Sequence, residues 1–190
     1  MNNKLNPTSQ NIHLEIVQQC QTGDRQAQHQ IYKLYSKAMY NICYRITNDE
    51  WEAEDVLQEA FVNAFQHINS YRGTASFGAW LKKIVVNKAI SHVRKKRLEI
   101  VPLDNHLEYE NNTPEIDEER LFLNIEKIRQ AVQKLPDGYR LVFSLYLLEG
   151  YDHGEIAEIL HITESTSKSQ YNRSKKKLKE ILKEEVFHNG

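Results

Sequence analysis

The sequence predicts an all-α protein of two helical domains joined by an acidic linker, and three observations predict it. Apolar residues recur three and four positions apart along most of the 190 residues, the spacing of helices with one buried face. No stretch alternates apolar and polar residues in the manner of a half-buried strand. Residues 99–118 lose periodicity and hold Pro102 and Pro114 among Asn105, Asn111 and Asn112, and Glu99 to Glu119 carry eight acids and no Lys or Arg. That composition marks an extended, self-repelling connector, so domains are expected at 1–98 and 119–190.

The first eleven residues, rich in Asn and Gln, are expected to fray. Ile12 to Cys20 read as a short amphipathic segment that ends near Gly23. Asp24 then caps a second helix reaching about Thr47, with Ile31, Leu34, Tyr35, Ala38, Ile42 and Ile46 as its buried stripe. The third helix runs from about Asp49 to Ile68 and has the clearest periodicity in the chain, through Val56, Leu57, Ala60, Phe61, Ala64, Phe65 and Ile68. Its polar side lines up Glu52, Asp55 and Glu59, with Gln58 and Asn63 nearby. Acids in a first helical turn favour the positive end of the helix dipole, which accounts for Glu52 better than for Glu59. A solvated face and a docking face for a basic partner both fit the whole row taken alone.

Tyr71 to Arg97 joins a small-residue loop, Arg72-Gly73-Thr74-Ala75-Ser76, to a basic helix. The loop carries no bulky side chain beyond its bounding Tyr71 and Phe77, and leaves room for one planar base. Ser76 caps the helix. Leu81, Val85, Ala89 and Val93 form its core side, with Lys82 extending its amine past them to water. Trp80, Lys83, Asn87, Ser91 and Arg94 share another face. Lys82 to Arg97 hold seven Lys or Arg and no acid. A solvated surface helix and a nucleic-acid contact both fit this stretch taken alone.

Helical spacing resumes at Glu119 through Leu121, Ile125, Ile128, Val132 and Leu135, and stops at Pro136-Asp137-Gly138. An apolar segment, Tyr139 to Glu149, ends at Gly150. A short helix from about Asp152 to Leu160, a turn at His161-Ile162 and a long helix from Thr163 to about Glu185 make a helix-turn-helix pattern. In the last helix Ser165, Ser169, Asn172 and Lys176 share a face beside Lys168 and Arg173, and with Gln170 these residues have the chemistry to reach base edges or phosphates. The opposite stripe, Ser167, Tyr171, Ser174, Leu178 and Ile181, is polar in its first half, which implies shallow packing or hydroxyls bonded to the preceding turn.

A net charge of -1 with 40% hydrophobic residues excludes a disordered chain. It does not exclude nucleic acid, because charge is segregated: Asp49 to Glu59 hold six acids and no base, and Lys168 to Lys183 seven bases and one acid. Cys20 and Cys43 are too few and too far apart for a disulfide framework or zinc motif, and the eight histidines form no ligand spacing. No metal or cofactor is expected. With no signal segment and no run of 18 apolar residues, a cytoplasmic protein is expected. No nucleophile–base pair converges in sequence, so no enzyme activity is expected.

In this order the segments resemble a bacterial sigma factor of the extracytoplasmic-function (ECF) group, over nearly the whole chain. AEDVLQEAFVNAF, Ala53 to Phe65, is similar to the region-two helix that docks on the clamp coiled coil of RNA polymerase. YRGTASFGAWLKKIVVNKAI, from Tyr71, is similar to the segment that melts and reads the minus-ten element. LPDGYRLVFSLYLLEGYDHGEIAEILHITESTSKSQYNRSKKKL, from Leu135, is similar to region four, which reads the minus-thirty-five element. The resemblance implies that Asp55, Gln58 and Glu59 contact polymerase. It implies that Tyr71, Arg72, Gly73, Ser76 and Phe77 hold a flipped base, with Trp80 near the upstream fork and Lys83, Asn87, Ser91 and Arg94 on adjoining DNA. Ser165, Thr166, Lys168, Ser169, Gln170, Asn172, Arg173 and Lys176 would read the minus-thirty-five element. The implied partners are core RNA polymerase, at its clamp coiled coil and flap, promoter DNA and an anti-sigma factor, with no small-molecule substrate and no membrane insertion. Two departures stand out. His161 replaces the glycine usual in the region-four turn, and Ser165 to Gln170 replace a common G-T-V-K-S-R, with loss of an arginine and of a buried valine.

Overall fold

A computed structural model describes the backbone of residues 7–100 and 125–188 and the side chains of 13–96 and 127–184. Most of the linker expected at 99–118, and Leu121, lie outside the described residues. Every described element is helical: α1 Pro7–Gln21, α2 Arg25–Thr47, α3 Glu50–Gln66, a 3-10 turn Ile68–Ser70, α4 Phe77–Ile100, α5 Ile125–Gln133, α6 Asp137–Phe143 with a π-helical turn Ser144–Leu148, α7 His153–Leu160 and α8 Glu164–His188. The chain divides into two compact units, Met1–Val93 and Arg94–Gly190.

In the first unit the helix starts are fixed by side-chain caps. Asp24 Oδ1 accepts from the amides of Gln26 at 2.7 Å and Ala27 at 3.4 Å, and Asp49 Oδ1 accepts from Glu52 N at 3.0 Å. Each satisfies a donor that a helix start leaves free. Between them Asn48 ends α2 in the left-handed region, φ 60, a conformation asparagine tolerates. Two expectations are corrected. Helical backbone reaches back to Pro7 into the stretch expected to fray, and a proline at the first helical position gives up no hydrogen bond there. Leu34 and Ala38 are exposed instead of buried. The buried stripe of α2 is centred nearer Met39, Cys43 and Ile46, so Leu34 and Ala38 fall on its solvent edge. The α3 stripe from Val56 to Ile68 is buried except Phe65, which is half-buried, and Leu81, Val85, Ala89 and Val93 of α4 are buried with Val86 and Ile90.

In the second unit Ala131, Val132, Leu135, Phe143 and Ile181 form one buried cluster, flanked by Ile128, Tyr139, Tyr171, Leu178 and Leu182. Arg140 is 3% exposed within this unit. Its Nη1 donates to the Leu135 carbonyl at 3.2 Å and pairs with Asp137 Oδ1 at 2.8 Å, tying the end of α5 to the start of α6. The helix-turn-helix is built from α7 and α8. Asp152 and Glu155 form a reciprocal capping box, with Oδ1 accepting from Glu155 N at 2.8 Å and Glu155 Oε2 from Asp152 N at 2.9 Å. His161 takes the left-handed conformation, φ 52 and ψ 48. The turn is therefore made without glycine, by a residue for which this region is uncommon but open.

Candidate nucleic-acid interface

The loop before α4 is held at both ends by Tyr71. Its hydroxyl donates to the Ala75 carbonyl at 2.8 Å and closes the loop on itself. Its own carbonyl accepts from Gln21 Nε2 at 3.4 Å, and the same amide donates to Ile68 O at 3.2 Å. The Tyr71 ring meets Phe77 edge-on, 5.4 Å between centroids at 90°, and lies 5.6 Å from Trp80. Tyr35 closes on Phe77 from α2 at 5.4 Å and hydrogen-bonds His13 Nδ1 at 2.8 Å. Gly78 permits that approach, since a β-carbon there would lie 3.1 Å from a Tyr35 ring carbon.

On this support Arg72 to Ser76 are all exposed, Gly73 turns at φ 73, and Ser76 Oγ accepts from Ala79 N at 3.3 Å to start α4. Phe77 is only 4% exposed. Of the residues assigned to base capture it therefore props the loop from the core side, leaving the loop backbone, Arg72 and Ser76 on the outside. Nothing in the sequence around Gln21 marks it as a support for this loop, because the contact spans about fifty positions of chain.

Along α4, Lys83, Asn87 and Ser91 are exposed, and Trp80 and Arg94 are half-buried. Ser91 Oγ donates to the backbone carbonyl of Asn87 at 2.8 Å. The basic side of α4 also touches α3. Lys88 Nζ lies 2.9 Å from Glu59 Oε2, and His92 Nε2 3.4 Å from Glu52 Oε2. Within the acidic row read from the sequence, Glu52 and Glu59 thus pair with α4 side chains, and Asp55, Gln58 and Glu59 are exposed.

In α8, Ser165, Lys168, Asn172 and Lys176 are exposed, and Thr166, Ser169, Gln170 and Arg173 are half-buried. Thr163 Oγ1 accepts from Thr166 N at 3.1 Å and links to the hydroxyls of Ser165 at 2.9 Å and Thr166 at 2.7 Å, so the N-terminal turn is preorganised. Lys168 pairs with Glu164 at 2.6 Å one turn earlier. Gln170 is drawn to the other side, its Oε1 near Gly138 of α6.

The polar half of the buried stripe has partners. Ser167 is 0% exposed, and its hydroxyl lies 2.9 Å from His153 Nδ1 on α7. That ring stacks on Tyr146 at 4.4 Å and 12°. Ser174 Oγ donates back to the Tyr171 carbonyl at 2.7 Å. The two helices of the motif are therefore pinned by a hydroxyl–imidazole contact at a position where a valine is common in the family it resembles.

The remaining reactive groups are quiet. Burial pushes the Cys43 thiol up to about 12 and, with the Asp24 charge adding to it, the Cys20 thiol up to about 11. Both stay protonated at neutral pH and are poor nucleophiles. Among the described residues no group of three His, Cys, Asp or Glu is placed to hold a metal ion. Among them, too, no helix is long and apolar enough to cross a membrane.

A capped basic helix headed by a glycine-containing loop, together with a helix-turn-helix, defines a class: all-helical proteins that carry both elements in one chain. Residues 31–99 match the family model for sigma-70 region 2, and residues 125–178 that for sigma-70 region 4. The ECF RNA polymerase sigma factor SigW of Bacillus subtilis is 31% identical over 178 residues, covering 88% of this chain and 95% of its own length. The ECF RNA polymerase sigma factor SigM of the same organism is 30% identical over 153 residues, 80% of this chain and 93% of its own. In fold, the chain is similar to the sigma factor RpoE of Bartonella quintana, solved with the anti-sigma factor NepR, at a TM-score of 0.54 and 21% identity over 82% of this chain and 96% of that one. The chain belongs to the ECF sigma factors. It is a transcription initiation factor that recognises promoters, and sigma factors are not enzymes.

Proposed function

We propose a division of this work among named residues. Asp55, Gln58 and Glu59 dock the chain on the clamp coiled coil of core RNA polymerase. The loop from Tyr71 to Phe77, with Trp80, holds one flipped base of the non-template strand, a capture that offsets an unstacking cost of about a few kcal/mol. Lys83, Asn87, Ser91 and Arg94 steady the adjoining backbone. Ser165, Thr166, Lys168, Ser169, Gln170, Asn172, Arg173 and Lys176 engage the minus-thirty-five element, with Gln170 needing to turn away from Gly138 to do so. Functional domains at 1–98 and 119–190, joined by the acidic segment 99–118, carry the two grips.

One observation supports this reading above the others. The exposed loop Arg72 to Ser76 rests on a fixed aromatic support of Tyr71, Phe77 and Trp80. A helix-turn-helix regulator that only binds duplex has no use for such a loop. Because RpoE of Bartonella quintana was solved with an anti-sigma factor, this chain is also proposed to be restrained by one, and to act in the cytoplasm where polymerase is found.

The test is run-off transcription by core polymerase with the purified chain on a promoter library. Discrete transcripts that require the chain are expected. Duplex binding without any transcript would replace this reading with that of a simple duplex-binding regulator.

A further inference from the structure

At about 100° per residue, α3 presents three arcs. Ala53, Val56, Leu57, Ala60, Phe61 and Ala64 are buried. Glu52 and Glu59 turn to α4. The third arc runs Trp51, Asp55, Gln58, Val62, at steps of four, three and four residues, and all four are exposed. Its two ends are apolar: Trp51 is 80% and Val62 55% exposed. No large hydrophobic among the described residues is more open than Trp51, whereas Trp80 packs against Phe77 and Tyr71. An indole standing in water at the end of a polar stripe has no part in the core of its own unit. Tryptophan, with tyrosine and arginine, is enriched among the residues that anchor protein interfaces.

We propose that Trp51 and Val62 are the apolar anchors of the polymerase-docking surface, closing on Asp55 and Gln58 from either end; this rests on the docking role given above to α3. The stripe is about 16 Å long at about 1.5 Å per residue, the length of three helical turns. It therefore suits a helical partner laid along it. Charge decides what kind of helix: α3 carries Glu50, Glu52, Glu54, Asp55 and Glu59 and no Lys or Arg, so the surface selects a basic partner. A lysine or arginine on that partner satisfies Asp55 and can also lie over the indole face. Beside Gln58 an open groove of about 370 Å³ between α2 and α3, lined by Tyr32, Tyr40 and Leu57 with Ser36, Lys37 and Glu54, adjoins the stripe.

The experiment compares the full chain with Trp51→Ala, Trp51→Phe, Val62→Ala and Asp55→Ala variants, each titrated against core RNA polymerase. Helicity and duplex binding serve as controls that each variant folds. Trp51→Ala is expected to weaken the complex by at least about tenfold, as an interface anchor does. Trp51→Phe should recover most of the loss, and Val62→Ala should cost a smaller factor. Wild-type affinity for Trp51→Ala beside a loss for Asp55→Ala overturns the anchor role and leaves the docking face standing. Wild-type affinity for both variants removes the docking face itself.

Discussion

The two units are held together differently. The buried residues of the first are aliphatic, aromatic, thioether or thiol side chains, from Val17 to Val93. In the second, Arg140, Ser144, Ser167 and Ser174 are buried as well, and these are all the buried polar or charged residues among those described. Arg140 Nε and Ser144 Oγ lack hydrogen-bond partners there, while the Ser167 and Ser174 hydroxyls have contacts of 2.9 and 2.7 Å and Arg140 Nη1 is shared between Leu135 O and Asp137. An apolar core loses stability in proportion to the volume removed. A core with buried polar groups depends on each bond being made, since an orphaned group keeps its desolvation cost. The first unit should therefore respond to cavities and the second to lost hydrogen bonds.

The largest effect that tests this contrast is a cavity in the first unit. Leu81 is 0% exposed, and Leu81→Ala is expected to cost about 2–5 kcal/mol. The free thiols report on it, because Cys20 and Cys43 are both buried in the first unit. Their reaction with a thiol reagent at pH 8 should accelerate with the loss of stability, and an unchanged rate would mean that this core is not cooperative. Next comes Arg140→Met, which leaves the Leu135 carbonyl buried without its donor at a cost of about 1–3 kcal/mol. It should melt the second unit in denaturant while thiol protection in the first is retained. Loss of protection in the same variant would merge the two units into one folding block.

Ser167→Ala removes the contact with His153 and should cost about 1 kcal/mol, the net worth of a typical hydrogen bond. Duplex affinity measured with the same variant should fall as the angle between α7 and α8 loosens. If Ser167→Ala is instead as stable as the parent, the hydroxyl is dispensable and the polar core is an accident of composition. The smallest effect belongs to the surface of the first unit. Glu59 and Lys88 are 60% and 39% exposed, and a double-mutant cycle on such a pair should return about 0.2–1 kcal/mol, shrinking with salt. Lys88→Ala should then leave the fold intact and remove this one contact of Glu59. A rise in polymerase affinity would show that the pair competes with docking, and no change would limit Glu59 to a structural role.

Much of the fold follows from local signals. Asp24, Asp49 and Ser76 stand immediately before helical runs, and each caps the helix it precedes. Capping acts over three residues, so it is legible in a string of letters. The same holds for the stripes of α3 and α4 and for the α7 and α8 pattern. Leu34 and Ala38 lie outside the buried stripe because periodicity gives the face of a helix but not how far round it the neighbours reach. Gln21, which supports the loop from about fifty residues away, and His153, which meets Ser167 from the adjacent helix, carry no local signature at all.

The sequence by itself determined an all-helical chain with a basic helix, a helix-turn-helix and an acidic α3, since caps, turns and a 3.6-residue period are properties of adjacent residues. Only the tertiary structure decided which acids of α3 pair with α4, that Phe77 supports the loop from the core, and that Trp51 is left in the open. Those outcomes depend on how one helix is rotated against the next, and that rotation is fixed by packing between residues far apart in the chain.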